Sequence, residues 1–176
     1  TYTNSTSVTL ALSADDTTSG VSQMRFSHNN ITWTLWEDYT VSKAWDLPTG
    51  DGTKTVYIQF KDNAGLTSST YQDAIILDTT SPTADAGVDQ TVNEDTLVTF
   101  DGSASTDENG IASYTWTFTD ATPQTLSGKN PTYTFAALGR YTVTLKVTDP
   151  AGNSATDTVT ITVLDITKPV ANAGAD

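Results

Sequence analysis

The chain has 176 residues and carries 21 acidic against 8 basic side chains, which gives a formal net charge of −13 at pH 7. Such a charge disfavours nucleic acid and anionic lipid as partners, because their phosphates would repel the protein. The chain has no cysteine, which excludes disulfides and thiolate metal sites. No apolar run approaches the length of a membrane span, so we expect no membrane insertion by these residues.

Apolar and polar residues alternate with period 2 along the first half, whereas helical periodicity is absent. The alternation begins at residues 8–12, and two long strands are predicted at 54–61 and 71–77. The stretch Ile31–Trp36 is also predicted as a strand. About seven short strands separated by polar turns are typical of a β-sandwich.

The second half alternates more regularly. A strand is predicted at 97–100 and is followed by a polar loop at 101–110. Aromatic or aliphatic residues then alternate with threonine at 114–118, 141–147 and 159–163. We therefore expect a second all-β sandwich with almost no helix.

A repeat with an offset of 87 residues relates the two halves. Residues 77–89 return at 164–176 with the Leu-Asp, the Pro, the Ala, the Gly and the last Asp in register. The same offset pairs 62–65 with 149–152. A fixed period of this length indicates tandem modules. We expect domains at 1–78 and 79–165, a short Pro-containing linker between them, and the start of a further repeat at 166–176.

Three motifs of the second module resemble those of a known family. They are Asp101-Gly102-Ser103-Ala104-Ser105, the alternating stretch 114–118, and the run from Gly139 to Asp149. Together they resemble a PKD domain over about residues 82–165, which implies an immunoglobulin-like (Ig-like) sandwich. That family usually has Gly-Asp-Gly after the second motif, whereas this chain has Thr119-Asp120-Ala121, which places the tight hairpin there in question. The first module is similar to the fibronectin-like or bacterial Ig-like repeats of large archaeal or bacterial surface proteins. The expected fold is thus all-β, with two tandem seven-stranded Ig-like β-sandwiches.

The sequence offers little for catalysis. His28 is the only histidine, and no nucleophile motif surrounds it. The paired carboxylates lie in turns rather than in an evident cleft, so we do not expect an enzyme.

Calcium is the cofactor that the acidic loops favour. The loop 105–110 offers the alternating oxygen ligands of a calcium loop, although Ser105 stands where an EF-hand has Asp and Trp116 where it has the closing Glu. Alternation of strand direction predicts that acidic loops of both modules meet at the junction, where calcium would stiffen the array as in cadherin-like repeats. The candidate ligands are Asp15, Asp16, Asp51, Asp78, Asp85, Asp107, Glu108, Asn109 and Asp149. Ordinary acidic turns are the alternative.

Two further kinds of surface site are suggested. Trp33, Trp36 and Tyr39 are candidates for stacking against sugars, although Trp33 and Trp36 would face opposite sides of a strand and one of them would then be core. Trp116 is expected to be the buried tryptophan of the second sandwich. The sequons at Asn4 and Asn30 are candidate glycosylation sites.

These features favour a structural function. We expect an extracellular, non-catalytic spacer, adhesive module or assembly unit of a repeat-containing microbial surface protein, such as a surface layer or an adhesin. Its partners would be neighbouring Ig-like repeats of the same chain, further copies of itself, or cell-surface polymers. The alternative is a polysaccharide-binding accessory region of a secreted hydrolase, which requires exposed aromatic rings.

Overall fold

The computed structural model describes residues 1–135 and 137–171. These residues form fourteen β-strands and no helix, which confirms the expected all-β class. The chain divides into two compact units, Thr1–Thr80 and Ser81–Asp176. Each unit holds seven of the described strands.

Unit 1 has seven strands: β1 (Tyr2–Thr3), β2 (Ser7–Ala11), β3 (Val21–Ser27), β4 (Glu37–Asp38), β5 (Ser42–Asp46), β6 (Gly52–Asp62) and β7 (Tyr71–Leu77). They form a five-stranded sheet in the order β1-β7-β6-β3-β4 and a two-stranded sheet of β2 and β5. β1 runs parallel to β7 with Tyr2 opposite Ile76, so the first and last strands of the unit pair directly. β1 has only two residues, and no alternation marks it in the sequence.

The core of unit 1 is small. Its buried cluster consists of Met24 and Phe26 on β3 and Ile58 and Phe60 on β6. Trp45 on β5 packs its ring 5.2 Å from that of Phe26, measured between centroids. These contacts hold the two sheets together on the side where β3 and β5 face each other.

Unit 2 repeats the plan: β8 (Gln90–Asn93), β9 (Val98–Thr99), β10 (Ser113–Asp120), β11 (Thr122–Ser127), β12 (Thr132–Tyr133), β13 (Gly139–Thr148) and β14 (Ser154–Leu164). The larger sheet has the order β11-β10-β13-β14-β8, and β9 pairs with β12. Here too the first strand, β8, runs parallel to the last, β14.

Trp116 is the centre of the larger core of unit 2. Its side chain is fully buried and stacks on Phe100 with ring centroids 5.2 Å apart. Its Nε1–H donates to the carbonyl of Gly128 at 3.0 Å. The expectation that Trp116 is the buried sandwich tryptophan is confirmed.

The hairpin after β10 forms without glycine. Asp120 pairs with Thr122, which leaves Ala121 alone at the turn, with a φ of 56°. This left-handed conformation is unfavourable for a residue with a Cβ. The Thr-Asp-Ala sequence therefore keeps the tight hairpin at the expense of local strain.

Candidate functional site

The hairpin between β13 and β14 is organised by Asp149. Its Oδ1 accepts hydrogen bonds from the backbone N–H groups of Ala151, Gly152 and Asn153, at 2.8, 2.7 and 2.9 Å. The side-chain amide of Asn153 donates to the Oδ2 at 2.8 Å. Asp149 is only 2% exposed, so its negative charge lies inside the end of the sandwich and depends on these donors.

Asp107 belongs to the polar loop between β9 and β10. Its Oδ1 accepts a hydrogen bond from the backbone N–H of Asn109 at 2.8 Å, which shapes the loop. Asp107 and Asn109 are half-buried, and Glu108 beside them is exposed. The loop thus turns one carboxylate inward and leaves the next in solvent.

The structure brings Asp107 and Asp149 together. Each offers a carboxylate oxygen, and the two oxygens lie within 4.8 Å of one another. No ion pair joins Lys or Arg to either carboxylate in the part of the chain that the structure describes. Two carboxylates this close repel each other, and a divalent cation between them would relieve the repulsion.

The first residues of unit 2 enter at the same end. Thr83 and Thr106 exchange backbone hydrogen bonds of 2.8 and 3.0 Å beside Asp107. Asp85 donates its N–H to the Ser105 hydroxyl at 3.0 Å, while its Oδ1 accepts from Gly87. The predicted grouping of the 101–110 loop, the Asp149 hairpin and the incoming chain at one pole is therefore found within unit 2. Whether a metal binds there stays a prediction.

A local motif at the end of β7 fixes Asp78 and Asp51 in unit 1. Asp78 accepts a hydrogen bond from the backbone N–H of Thr80 at 3.1 Å. Asp51 accepts from the hydroxyls of Thr79 and Thr80 at 2.8 and 2.7 Å and from the backbone N–H of Thr79 at 2.9 Å. These donors, the Thr80 hydroxyl first, lower the pKa of Asp51 below its ordinary value.

The same motif recurs 87 residues later in unit 2. Asp165 accepts a hydrogen bond from the backbone N–H of Thr167 at 2.7 Å, as Asp78 does from Thr80. Glu94 takes the role of Asp51, accepting from the Ile166 N–H and the Thr167 hydroxyl. The Thr167 bond is the main cause that lowers the pKa of Glu94. The repeated Leu-Asp-x-Thr is thus an Asx turn that directs the chain out of each unit, a role for the threonine that the sequence analysis did not assign.

The expected position of Asp15 and Asp16 is wrong. Both were placed at the exit pole with Asp51, but their loop contacts the β6–β7 hairpin, where Asn63 donates to the carbonyls of Ser19 and Gly20. Asp51 precedes the start of β6, and the hairpin follows its end, roughly 33 Å away for a strand of this length. The error follows from β1, which makes the loop of Asp15 and Asp16 the second of the unit rather than the first, whereas the loop of Asp51 remains the fifth. Asp16 instead caps its own loop, and the Ser19 and Gly20 N–H groups lower its pKa.

The aromatic candidates are arranged differently from the prediction as well. The structure has no strand at 31–36, so Trp33 and Trp36 do not face opposite sides of a sheet. Both half-buried rings pack on Arg25, whose Cζ lies 4.9 and 4.5 Å from their centroids. Tyr39 is separate: its ring meets Phe60 edge-on at 5.7 Å, and its hydroxyl accepts from the Ala14 N–H. Neither tryptophan belongs to the buried core cluster of unit 1.

Both sequon asparagines, Asn4 and Asn30, are exposed. Asn30 lies in the turn after β3 with a φ of 59°, a conformation that asparagine tolerates. The two sites are therefore sterically open, and glycosylation stays a prediction.

None of the residues that the structure describes belongs to a helix with the length and apolar character needed to cross a bilayer. His28 packs against Trp45, with ring centroids 4.5 Å apart. Within residues 1–135 and 137–171, His28 does not belong to a cluster of potential metal ligands.

The strand order and the two paired sheets in each half define a tandem of Ig-like β-sandwiches. The same fold is seen in the fibronectin(III)-like modules of Clostridium thermocellum CbhA, at a TM-score of 0.60 and 11% identity, over 97% of this chain and 93% of that one. The family model of the PKD domain matches residues 79–163. The PKD match thus falls on unit 2, and unit 1 ahead of it shares the fold of fibronectin(III)-like modules.

Two further likenesses accompany this assignment. The mouse (Mus musculus) dyslexia-associated protein KIAA0319-like protein is 31% identical over 151 residues, which is 80% of this chain and 14% of that protein. The chain thus spans about a seventh of the curated relative that it matches. The solved PKD domain from KIAA 1837 protein is 27% identical over 53% of this chain and 96% of that one, at a TM-score of 0.41.

Proposed function

We propose that the chain is a non-catalytic, extracellular structural or adhesive segment that spaces or assembles a repeat-containing cell-surface protein. The support is architectural: PKD and fibronectin-like modules are typically structural, and the Leu-Asp-x-Thr turn that leaves unit 1 is repeated at the end of unit 2. The acidic surface fits exposure to solvent and attraction of cations. The microbial surface layer or adhesin expected from the sequence stays a prediction, since the curated relative comes from a mouse.

The proposal includes calcium at the pole where the chain enters unit 2. The observation that carries it is the pair of carboxylate oxygens of Asp107 and Asp149 within 4.8 Å, with no ion pair to Lys or Arg among residues 1–135 and 137–171. Asn109 and Asp85 lie in the segments around this pair. Calcium bound there would order the entering chain and stiffen the array.

The test is a thermal melt of the full chain in calcium, in magnesium and in EGTA. Calcium at 100 times its dissociation constant would stabilise the folded state by about 2.7 kcal/mol. For a domain of this size, that free energy raises the Tm by roughly 10–20 °C. The unit 2 transition should shift and the unit 1 transition should move little.

The variant Asp107→Asn separates calcium binding from ordinary loop structure. Asparagine still accepts the Asn109 N–H but removes one charge from the pair. The variant should lose the calcium response and be no less stable than the wild type in EGTA, because the repulsion is relieved. Asp95→Asn is the matched control, since Asp95 lies exposed in the β8–β9 turn. Equal calcium shifts in Asp107→Asn and in the wild type would refute the site.

Polysaccharide binding is the alternative function, and Trp33 and Trp36 are the rings on which it depends. Arg25 occupies a face of each ring, and Lys61 lies 4.0 Å from the centroid of Trp36. A sugar would have to use the remaining faces. Pull-down on insoluble polysaccharides tests this: binding that Trp36→Ala abolishes would favour the accessory-module function over the spacer.

A further inference from the structure

The outer face of the large sheet of unit 1 holds two basic side chains on neighbouring strands. The buried residues of β3 and β6 point into the core, so the residues between them point outward. The outward residues of β3 include Gln23 and Arg25, and Lys61 on β6 lies opposite Gln23. Gln59, also on β6, lies opposite Arg25. These four side chains alternate cation and amide across the strand pair, and we call them the basic block.

The glutamines of the basic block orient its cations without neutralising them. Arg25 donates from Nε and Nη2 to the Oε1 of Gln59 at 2.9 and 2.5 Å. Lys61 donates from Nζ to the Oε1 of Gln23 at 3.2 Å. No carboxylate forms an ion pair with either cation within residues 1–135 and 137–171. Both positive charges are therefore fixed in position and stay unbalanced.

Two tryptophan rings hold the cations close together. The Cζ of Arg25 lies 4.9 Å from the ring centroid of Trp33 and 4.5 Å from that of Trp36. The Nζ of Lys61 lies 4.0 Å from the Trp36 centroid. The ring attracts each cation, but two like charges held around one ring repel each other. An anion beside them would relieve this repulsion.

The lack of carboxylate partners contrasts with the composition of the chain. Acidic side chains outnumber basic ones by 21 to 8, so a carboxylate is the commoner neighbour for a cation here. Asp38 lies opposite Gln23 on β4, yet it is exposed and pairs with neither cation. Glutamine has the shape of glutamate without its charge, and both acceptors in the block are glutamines. The block thus keeps its charge available to a ligand.

The surroundings of the basic block suit a sugar polymer. Its four side chains and both tryptophans are half-buried, so solvent reaches them. Of the rings and cations in the described chain, only Arg25 packs on Trp33, which leaves the second face of that indole for the apolar face of a sugar. The N–H groups of Arg25 that do not bind Gln59 suit a carboxylate, which a guanidinium can bind through two parallel hydrogen bonds.

We propose that the basic block and Trp33 bind an acidic polysaccharide through the carboxylates of its uronic acids. The carboxylates contact Arg25 and Lys61, and a neighbouring sugar packs on Trp33. A neutral polymer would have only the ring faces, whereas here the charge selects the polymer. The inference supplies a partner for the proposed adhesive function and rests on that function for its extracellular setting. It does not involve the carboxylate pair of unit 2, so the calcium response and this binding can fail separately.

The test is titration calorimetry of the full chain with polygalacturonate in EGTA at about 0.15 M salt. The Debye length is then about 8 Å, so the acidic surface elsewhere is screened from the polymer while the contacts of the block are not. EGTA removes calcium, which would otherwise bridge the polymer to the acidic loops. The matched ligand is the same polymer with its carboxyl groups methyl-esterified. The wild type should bind the uronate form about tenfold or more tightly than the ester.

Gln59→Glu is the sharpest variant, because it places a carboxylate against Arg25 without changing the shape of the side chain. The Thr70 hydroxyl, which accepts from the Gln59 amide, can donate to the glutamate instead. The variant should melt no lower than the wild type, since it gains an ion pair. Its binding to polygalacturonate should weaken about tenfold or more, because the guanidinium is already neutralised.

A second set of variants tests the other cation. Lys61→Gln should weaken binding about tenfold or more, and Lys61→Arg should retain it. Lys54→Gln is the matched control, because it removes the same charge from the same strand on the opposite face of the sheet. It should bind as the wild type does.

Four outcomes would overturn the proposal. The first is a wild type that does not bind polygalacturonate, and the second is equal binding of the uronate and its methyl ester. The third is binding that both Gln59→Glu and Lys61→Gln leave unchanged, which would indicate another surface. The fourth is polyglutamate or dextran sulfate bound as tightly as polygalacturonate, which would indicate an acidic protein segment or a sulfated polymer as the partner.

Discussion

Replacing Ala121 by glycine is expected to stabilise unit 2. Ala121 is the single residue between the paired Asp120 and Thr122, and its φ is 56°. A side chain in this left-handed region costs about 1–2 kcal/mol, which glycine avoids. Glycine also gives the unfolded chain greater conformational freedom, and this offsets about 0.4–1 kcal/mol of the gain in stability. The expected net gain is about 0.8 kcal/mol.

Calorimetry of the full chain measures this change, because the two units give separate transitions if they unfold independently. The gain corresponds to a rise of roughly 3–6 °C in the Tm of unit 2. Ala104→Gly is the matched control: Ala104 is exposed in a loop of the same unit and is not among the residues with positive φ. The free energy of unfolding of Ala104→Gly should fall by about 0.4–1 kcal/mol, because glycine increases the freedom of the unfolded chain. If Ala121→Gly lowers the Tm as Ala104→Gly does, the turn is not strained and the reasoning is wrong.

Three other predictions concern packing and charge. Trp116→Phe should destabilise unit 2 by about 2–3 kcal/mol, through the cavity and the lost indole hydrogen bond, and leave the unit 1 transition in place. Burial, and then Asp120, raise the pKa of Tyr141. The protonated Tyr141 hydroxyl therefore contributes to the stability of the folded state below pH 10, and this contribution is lost as the pH rises through the folded-state pKa. Tyr141→Phe should therefore flatten the fall in Tm above pH 10. Asp51 has a lowered pKa. Its ionised carboxylate therefore contributes to the stability of unit 1 above pH 3.8, and this contribution is lost as the pH falls through the folded-state pKa. Asp51→Asn should therefore reduce the slope of the acid unfolding curve of unit 1.

The architecture was predictable because its signals are local. Alternation over β10, β13 and β14 fixes which side chains face inward, and the structure buries Trp116, Leu145 and Ile161 accordingly. The entry pole of unit 2 was predictable from the alternation of strand directions, which brings Asp107 and Asp149 to one end.

The errors come from short or irregular segments. β1 has two residues and pairs over a long sequence distance, so no local pattern reveals it, and its absence from the prediction misplaced Asp15 and Asp16. The stretch around Trp33 is apolar enough for a strand. In the structure, however, the rings of Trp33 and Trp36 both pack on the side chain of Arg25. Tertiary contacts such as these override local strand propensity.

The parallel pairing of first and last strands has a mechanical consequence. When an array is pulled from its ends, β8 and β14 are drawn in opposite directions along their own axes, so their hydrogen bonds are loaded in shear. Shear requires the bonds of a ladder to break together, whereas unzipping breaks them one at a time. β8 and β14 share four paired positions, so these must fail together before unit 2 can open. Under tension unit 2 would therefore stay folded until this ladder breaks as a whole.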